Sequence, residues 1–454
     1  MLCAQLRREV VDPLSQTITA ENNSYRPPHI KYQVPDGFDL LDIKGFEAVG
    51  QPHEYFHKLR AAAPVSWWQP PETTDVAGFW SLTRYEDVKK CDLDAKSFSS
   101  QEGGILMGYS EKSSGPKRLR AAALDSMINM DQPFHIPLRM SHRSFFTPDY
   151  VGQLQKRVEG EVDRLLDNME ALAAKNDGKV DMVTNFSEWL PLYTLCEMLG
   201  IDEKDRPKIV KWMHYLELAQ YITTDPDANI SPLFVAKFLW NIRQMFRFGQ
   251  KILADRRKNP RDDLLTVIAT TQVDGEPMDQ SYLDGSWLLI IFAGNDTTRN
   301  SLSGTMRLLT QFPEQKQMLI DQPDLVSKLV PEALRLVSPV MYMRRTAKVE
   351  SEFSGQTIMP GEKVLMWYGA ANRDPEVFEN PDQMDIHRKN AGDHLAFGTG
   401  PHVCLGQRIA IMQLQTAYAR ILDRFPNVHW TGNQRHAPNN FVHAISHLEV
   451  NLGK

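Results

Sequence analysis

One thiol, Cys404, lies in the glycine-rich segment Phe397–Gly406, just before a predicted helix. Glycine permits positive φ and a close approach of the backbone to another group. Backbone N–H groups at a helix N-terminus can hydrogen-bond a thiolate and favour its charge. Because Phe397 adds an apolar plate and Gly406 leaves room for a flat group, Cys404 suits axial ligation of an iron in a flat cofactor. The plainer alternative is a buried structural cysteine, which is common.

An acid and an alcohol lie next to each other in an otherwise apolar helical stretch. Asp296 and Thr297 follow the run Trp287–Ala293, where a buried acid is costly unless it is paired or used. Ala293 and Gly294 have little side-chain bulk, which lets the helix open a groove for a small ligand. There the pair could relay protons to a bound oxygen. Alternatively, Thr297 bonds back to a helix carbonyl and Asp296 forms an internal salt bridge.

Both segments resemble signatures of the cytochrome P-450 superfamily, and of its bacterial branch in particular. The haem-ligand signature is matched completely by Phe397, two residues, Gly400, three residues, Cys404, one residue and Gly406. The segment 293–298 resembles the oxygen-binding segment. The resemblance implies that Cys404 is the axial thiolate ligand of haem b. It also implies that Phe397 contacts the haem and that the acid–alcohol pair delivers protons.

A third motif, Glu332-Ala333-Leu334-Arg335, places an acid and a base three residues apart on one helix face. On its own, such a pair is usually exposed and of small energetic value. It resembles the Glu-x-x-Arg motif of the superfamily, in which the pair joins a later arginine and locks the loop before the cysteine. The resemblance implies Arg388 for that arginine, with Met384 where the family has phenylalanine.

Further residues are carried over from matching positions of the superfamily. The resemblance implies contacts with the haem propionates for His135, Arg139, Arg345 and His394, each of which could instead be an ordinary surface cation. It also implies a substrate pocket of apolar side chains, formed by Leu289, Phe292, Ala293, Val340, Met341, Phe441 and Val442. Segments 294–301, 343–347, 367–368 and 372–374 are most similar to bacterial groups acting on alkanes, monoterpenoids and sterol side chains.

The elements that must position these residues are mostly helical. Apolar periodicity and turn residues predict helices at 151–173, 183–200, 206–221, 232–258, 281–312 and 405–425, with Ser281 as an N-cap and one more helix beginning at Pro331. Strands are predicted at 65–69, 79–82, 347–353, 356–359 and 363–368, and a long loop at 97–132. We therefore expect a mainly α protein with a small β-rich lobe. The implied cytochrome P-450 fold has a long central buried helix over the haem and the thiolate loop before the last long helix. Residues 1–36 would form an N-terminal arm and residues 37–454 a single haem-binding domain.

Composition narrows the class of protein. The 454 residues are 42% hydrophobic and 24% charged, which is ordinary for a globular chain, and the net charge of −6 argues against nucleic acid as main partner. Four widely separated cysteines lack the spacing of a disulfide framework, a CxxC zinc site or an iron–sulfur cluster. No apolar run approaches the ~20 residues that span a bilayer. We expect a cytoplasmic monomer without a membrane anchor.

The resemblance implies a haem-thiolate monooxygenase that inserts one oxygen atom of O₂ into a C–H bond of an apolar terpenoid, alkyl or steroid-type molecule. No GxGxxG follows a strand, so electrons are expected from a separate ferredoxin and its NAD(P)H-dependent reductase. A basic docking face for the ferredoxin is predicted from Lys117, Arg118, Arg139, Arg143 and Arg408. The alternatives are a peroxide-dependent haem-thiolate hydroxylase, a non-catalytic haem-thiolate sensor or carrier, and a helical binding protein without cofactor.

Overall fold

The chain is mainly helical in a computed structural model that describes residues 25–69, 78–107, 122, 125–224, 231–273 and 275–453. Its helices are α1 Ile43–Val49, α2 His53–Ala62, α3 Tyr85–Leu93, α4 His135–His142, α5 Pro148–Ala173, α6 Trp189–Leu199, α7 Arg206–Thr224, α8 Pro232–Lys258, α9 Leu264–Thr270, α10 Gln280–Ala293, α11 Asp296–Gln311, α12 Pro313–Asp321, α13 Val326–Val337, α14 Tyr368–Ala371 and α15 Gln407–Arg424. Its strands are β1 Val65–Trp68, β2 Phe79–Leu82, β3 Phe98–Ser99, β4 Lys179–Asp181, β5 Gln272–Val273, β6 Glu276–Pro277, β7 Tyr342–Ala347, β8 Ser351–Phe353, β9 Gln356–Ile358, β10 Lys363–Trp367, β11 His429–His436 and β12 Ile445–Asn451.

The strands form a small β-rich region beside the helices, as the sequence predicts. The main sheet has the strand order β1-β2-β10-β7-β3, in which β10 runs parallel to β2 and the other pairs are antiparallel. A second sheet pairs β11, β12 and β4, and two short hairpins complete the set. Pairing of Val364 with Arg345 fixes the face on which Arg345 lies.

Two long helices form where the sequence marks their start most clearly. Helix α8 begins with Ser231, whose side chain accepts the Phe234 N–H, followed by Pro232 in the first turn. Helix α5 begins in the same way with Thr147 and Pro148. A Ser or Thr N-cap followed by Pro is a favourable helix start. Both helices bury an apolar stripe in the main core, and the prediction of 232–258 is confirmed.

The expected single helix at 281–312 is wrong in one respect, because the structure divides it into α10 and α11 at Gly294 and Asn295. A Cβ on Gly294 would lie 2.9 Å from the Ile290 carbonyl oxygen, so the backbone is too crowded there for a side chain. The expected N-cap Ser281 is also wrong. Asp279 caps α10 instead, since its carboxylate accepts the Tyr282 N–H at 2.9 Å.

Two further boundaries differ from the prediction. Pro331 lies inside α13 rather than at its start, and the helix begins at Val326. Because proline has no backbone N–H, one hydrogen bond of this helix is missing. That bond would have joined Pro331 only to a carbonyl of the first turn, so the helix tolerates its loss. The predicted strand 347–353 is two strands, since the chain turns between Ala347 and Ser351.

A buried ionic cluster joins α13 to the segment that leads into the Cys404 loop. Glu332 accepts two hydrogen bonds of 2.8 Å from Arg335 and a third, of 3.1 Å, from Arg388. The side chains of Glu332 and Arg335 have no exposed surface, which excludes the exposed-pair alternative. Arg335 also donates to the Asn372 and Pro381 carbonyls, and Glu332 accepts the Asp385 N–H. The three residues named from the sequence are thus in direct contact.

We predict that Glu332→Gln lowers the free energy of unfolding by about 3–5 kcal/mol, because it leaves two buried guanidinium groups without their carboxylate. The measurement is denaturant unfolding of the haem-loaded protein. Lys208→Ala is the control, since Lys208 forms an i,i+3 pair with Asp205 at an exposed site, worth about 1 kcal/mol or less. Equal losses in the two variants would contradict the assigned role of the cluster.

Candidate active site

The loop that carries Cys404 is closed by a hydrogen bond of 2.8 Å from the Cys404 N–H to the Phe397 carbonyl. Gly400 has φ +66°, a conformation that favours glycine. A Cβ on Gly400 would also lie 2.9 Å from the Asp92 carbonyl oxygen, so this position has no room for a side chain. Because α15 begins at Gln407, the thiol lies just before a helix N-terminus.

Asp92, on α3, holds this loop from outside and was not identified from the sequence. One of its carboxylate oxygens accepts the Thr399 N–H at 2.8 Å and the Tyr368 hydroxyl at 3.1 Å. The other oxygen accepts Arg345 at 2.8 Å. Asp92 is buried, so these contacts are protected from solvent. It therefore connects the thiol loop to the strand that carries one of the predicted propionate ligands.

The charge state of the thiol is set by opposing effects. Burial raises the pKa of Cys404, whereas the Gly406 N–H and the Arg139 guanidinium act to lower it. The net direction is upward, so the backbone effect expected from the sequence does not prevail. A bound metal cation, in contrast, deprotonates a coordinating thiol. The donor chemistry of Cys404 thus fits a metal ligand better than a free thiolate.

Three observations test whether a haem fits beside Cys404. A Cβ on Gly406 would meet only the Cys404 Sγ, at 4.0 Å, which leaves space for a flat group. Ala293 is exposed although it ends a helix that is otherwise largely buried, so α10 has an open side at this point. His135 has a buried Nδ1 without a hydrogen-bond partner among the described residues. All three agree with a flat, polar-edged cofactor beside the Cys404 loop.

Three of the four predicted propionate ligands lie around the loop. Arg139 donates to the Val403 carbonyl at 2.6 Å, and the His135 ring stacks on His402 with centroids 4.0 Å apart. Arg345 is within electrostatic range of both histidines, and burial lowers the pKa of His135 to about 4, so it is neutral near pH 7. His394 makes its contacts within its own segment, with the Ala396 N–H and the Phe397 ring.

The acid–alcohol pair lies at the break between α10 and α11. The Thr297 hydroxyl donates to the Ala293 carbonyl at 3.2 Å, and an Asp296 oxygen lies 3.4 Å from the Arg299 guanidinium. The structure therefore contains both contacts that are expected if the pair has a purely structural role, the bond from Thr297 to a helix carbonyl and the salt bridge of Asp296. The helix break nevertheless sets the pair apart from an ordinary turn, since Thr297 is only partly buried and lies one turn after the exposed Ala293.

Most of the predicted pocket residues gather in one apolar cluster. Met341, Phe441 and Val442 belong to its buried part, and Phe292 and Val340 pack against it. The Met341 N–H donates to the Phe441 carbonyl, and Val340 pairs with Val442 in an isolated bridge. Leu289 and Ala293 lie one turn apart on α10, outside that cluster. Sequence reasoning missed further members from the 97–132 segment, namely Ile105, Met107 and Ile128.

Comparisons with known proteins place the chain among related sequences and structures. The family model described as cytochrome P450 matches residues 135–446. The chain is 33% identical to linalool 8-monooxygenase of Pseudomonas putida, over 88% of this chain and 95% of that protein. It is 29% identical to steroid C26-monooxygenase of Rhodococcus jostii, over 92% of this chain and 85% of that protein. Among solved structures, a cytochrome P450 of Mycobacterium marinum in complex with pseudoionone superposes with a TM-score of 0.80 and is 31% identical. The match covers 92% of this chain and 100% of that chain.

No helix within the described ranges combines the length and the apolar character that a membrane crossing requires.

We predict that Cys404→Ser abolishes the red-shifted Soret band of the reduced, carbon monoxide-bound protein, because this band requires a thiolate sulfur as the haem ligand. The spectrum is recorded on purified protein together with the haem content. Cys196→Ala is the control, since this thiol is buried on α6 and burial raises its pKa. A retained band in Cys404→Ser would exclude this residue as the ligand.

Proposed function

The chain belongs to the cytochrome P450 family, and from that premise we propose that it hydroxylates an apolar terpenoid, alkyl or steroid-type molecule with Cys404 as the axial ligand of its haem. It is a monooxygenase with haem b bound through a cysteine thiolate. The observation that carries the assignment of Cys404 is its loop. The hydrogen bond to Phe397 and the support from Asp92 hold this one thiol just before the N-terminus of α15.

The residues of this chain have separable roles in the proposed reaction. When bound, the haem supplies the activation of dioxygen. The Cys404 loop holds the sulfur in place, and Arg139 and Arg345 offer positive charge for the propionates. Asp296 holds a proton close to Thr297, whose hydroxyl can pass it toward the open side of α10. Ala293 contributes no bulk there, so a small ligand has access.

The substrate class is supported by the apolar cluster beside α10. Its side chains, among them Phe292, Met341 and Phe441, are all apolar, which favours an apolar molecule held by shape. Two relatives are named for action on linalool and on a steroid. The chain resembles each of them at about the same level of identity. A terpenoid, alkyl or steroid-type substrate is therefore the proposal.

Electrons are proposed to come from a separate ferredoxin and reductase, which dock on the Cys404 side. Arg139 lies on this side through its bond to Val403, and Arg408 donates to the Phe146 carbonyl. Arg143 is exposed one turn after Arg139 on the same surface. Lys117 and Arg118, which complete the predicted face, lie outside the described residues. The surface also exposes the apolar side chains of Ile136 and Met140. Cations around a small apolar patch suit a weak, transient encounter with an acidic partner.

The proposed function predicts that linear monoterpenoids, alkanes or steroids shift the resting protein from the low-spin to the high-spin spectrum. An apolar molecule that fills the pocket displaces water near the iron, and the titration gives its affinity. Polar molecules of equal size are the control. If members of all three apolar classes bound without a spectral shift or product, the substrate proposal would be wrong.

We predict that Thr297→Ala keeps haem, thiolate band and fold but uncouples electron use from product, because the hydroxyl next to Asp296 is lost. The ratio of hydroxylated product to NAD(P)H consumed measures the coupling. Thr305→Ala is the matched control, since the Thr305 hydroxyl makes the same bond one helical turn back, to the Ser301 carbonyl. Full coupling in Thr297→Ala would support a purely structural role.

The docking surface predicts a change in KM for ferredoxin without loss of substrate binding. Arg143→Glu and Arg408→Glu reverse the charge of exposed residues, so KM should rise about tenfold and its salt dependence should flatten. Lys204→Glu reverses an exposed cation elsewhere and should leave KM unchanged. An effect as large in Lys204→Glu would point to net charge rather than to a local docking surface.

A further inference from the structure

Asp296 belongs to a cluster of charged groups that extends from α11 to α7. The Arg299 guanidinium lies 2.8 Å from a Glu217 carboxylate oxygen and 3.4 Å from an Asp296 oxygen, through different nitrogens. Asp296 and Arg299 are almost fully buried, whereas 25% of the Glu217 side chain is exposed. Two carboxyl groups from different helices are thus held against one guanidinium, and one of them reaches solvent.

A second pair completes the cluster on its outer side. Glu188 follows the π-helical turn Val183–Ser187, which packs against α11, and its carboxylate lies 2.6 Å from His214 Nε2. Glu188 is buried, but half of the His214 side chain is exposed. The charged groups that act on Asp296 are therefore Arg299 on α11, Glu217 on α7 and Glu188 before α6.

The charges of this cluster do not balance unless one carboxyl holds a proton. Among the described residues, its three acids, Asp296, Glu217 and Glu188, face one permanent cation, Arg299, and one titratable cation, His214. Two positive charges leave one carboxylate in excess, and an uncompensated buried charge is strongly unfavourable. A single proton on the inner pair restores neutrality. The arrangement is that of two carboxyl groups sharing one proton.

The directions of the pKa shifts agree with this charge count. Burial, and then the neighbouring Glu217 charge, raise the pKa of Asp296 well above its usual range, although Arg299 acts in the opposite direction. The hydrogen bond to Glu188 raises the pKa of His214, against the effect of its burial. The raised pKa of Asp296 therefore favours its protonated form, and the pairing with Glu188 favours the charged form of His214.

Asn295 gives an independent indication that this location is polar but not satisfied by protein groups. Its side chain is completely buried, and both of its amide atoms lack a hydrogen-bond partner within the described part of the chain. It precedes Asp296 at the helix break. Buried amides of this kind are satisfied by ordered water in folded proteins.

We propose that Glu217 loads protons onto Asp296: it takes a proton from solvent and transfers it to the Asp296 carboxylate, with Arg299 holding the two groups together. In this step the Glu217 O–H bond breaks and an Asp296 O–H bond forms, and Glu217 regains a proton from water. Glu188 and His214 fix the number of protons that the cluster holds. The inference rests on the proposed function, in which Asp296 serves Thr297, and Glu217 acts only through Asp296.

The first test reads the shared proton without turnover. Infrared spectra of the resting protein in acidic and alkaline buffer should contain the carbonyl band of a protonated carboxylic acid, which disappears in Asp296→Asn. In Glu217→Gln that band should shift, because its partner no longer ionises. Glu197→Gln is the matched control, since Glu197 is similarly exposed, 20%, and pairs with an arginine of another helix, Arg206 on α7, at a distance of 2.6 Å.

The second test uses His214 as a reporter. In the diamagnetic, reduced and carbon monoxide-bound protein, nuclear magnetic resonance follows its titration midpoint. Because the Glu217 charge contributes to the raised pKa of His214, Glu217→Gln should move the midpoint to lower pH. Glu197→Gln should leave it in place.

The third test concerns turnover with a substrate that the wild type hydroxylates. Glu217→Gln should lower coupling about tenfold and enlarge the solvent deuterium isotope effect. The tenfold loss is smaller than the factor of about 10² to 10⁴ that a direct proton donor contributes to a rate. Unchanged coupling, isotope effect and infrared band in Glu217→Gln would overturn the inference and leave the proposed function intact. If no substrate is hydroxylated by the wild type, the proposed function fails, and the infrared and His214 readouts still decide whether the proton is shared.

Discussion

The hydrogen bond from the Cys404 N–H to the Phe397 carbonyl is the contact on which the site depends, because it fixes one sulfur atom in a loop that is not a regular element. A loop keeps such a shape only if surrounding groups over-determine it. Here the supports are buried and polar: Asp92 binds the Thr399 N–H from α3, and the Asn372 side chain accepts the Leu395 N–H at 2.6 Å. Much of the buried polar chemistry of this fold serves to hold that loop.

At the break between α10 and α11, a buried acid is held next to a counter-charge. An acid in the centre of a core helix needs a counter-charge, and Arg299, one turn later, supplies it from the same helix. That guanidinium then needs a second carboxylate, which comes from Glu217 on α7. The contact between Arg299 and Glu217 therefore links α7 to Asp296, the acid to which the proposed reaction assigns a proton.

The parts that could be predicted from sequence are those encoded locally or in motifs. Helix α8 was predicted with its full bounds from apolar periodicity and turn residues, and the Glu332 cluster followed from a short motif plus one later arginine. The helix break at Gly294 and Asn295 was missed, because the apolar run that ends at Ala293 and the polar segment that follows it both suit a helix. Asp92 and Glu217 were missed for another reason. Their partners are distant in sequence, Arg345 by 253 residues in the first case, and a lone acid on a helix carries no signal of that pairing.

The same burial has opposite consequences for the two kinds of titratable group in this site, and this decides where a proton can be stored. Desolvation disfavours the charged form, which for histidine is the protonated one. It lowers the pKa of His135 and His394 to about 4, so neither holds a proton near pH 7. For a carboxyl group the neutral form is the protonated one, so burial raises the pKa of Asp296 and retains its proton. In a buried site, a carboxyl group therefore retains a proton better than an imidazole does. Asp296 is such a carboxyl group, and its partly exposed neighbour Glu217 connects it to solvent.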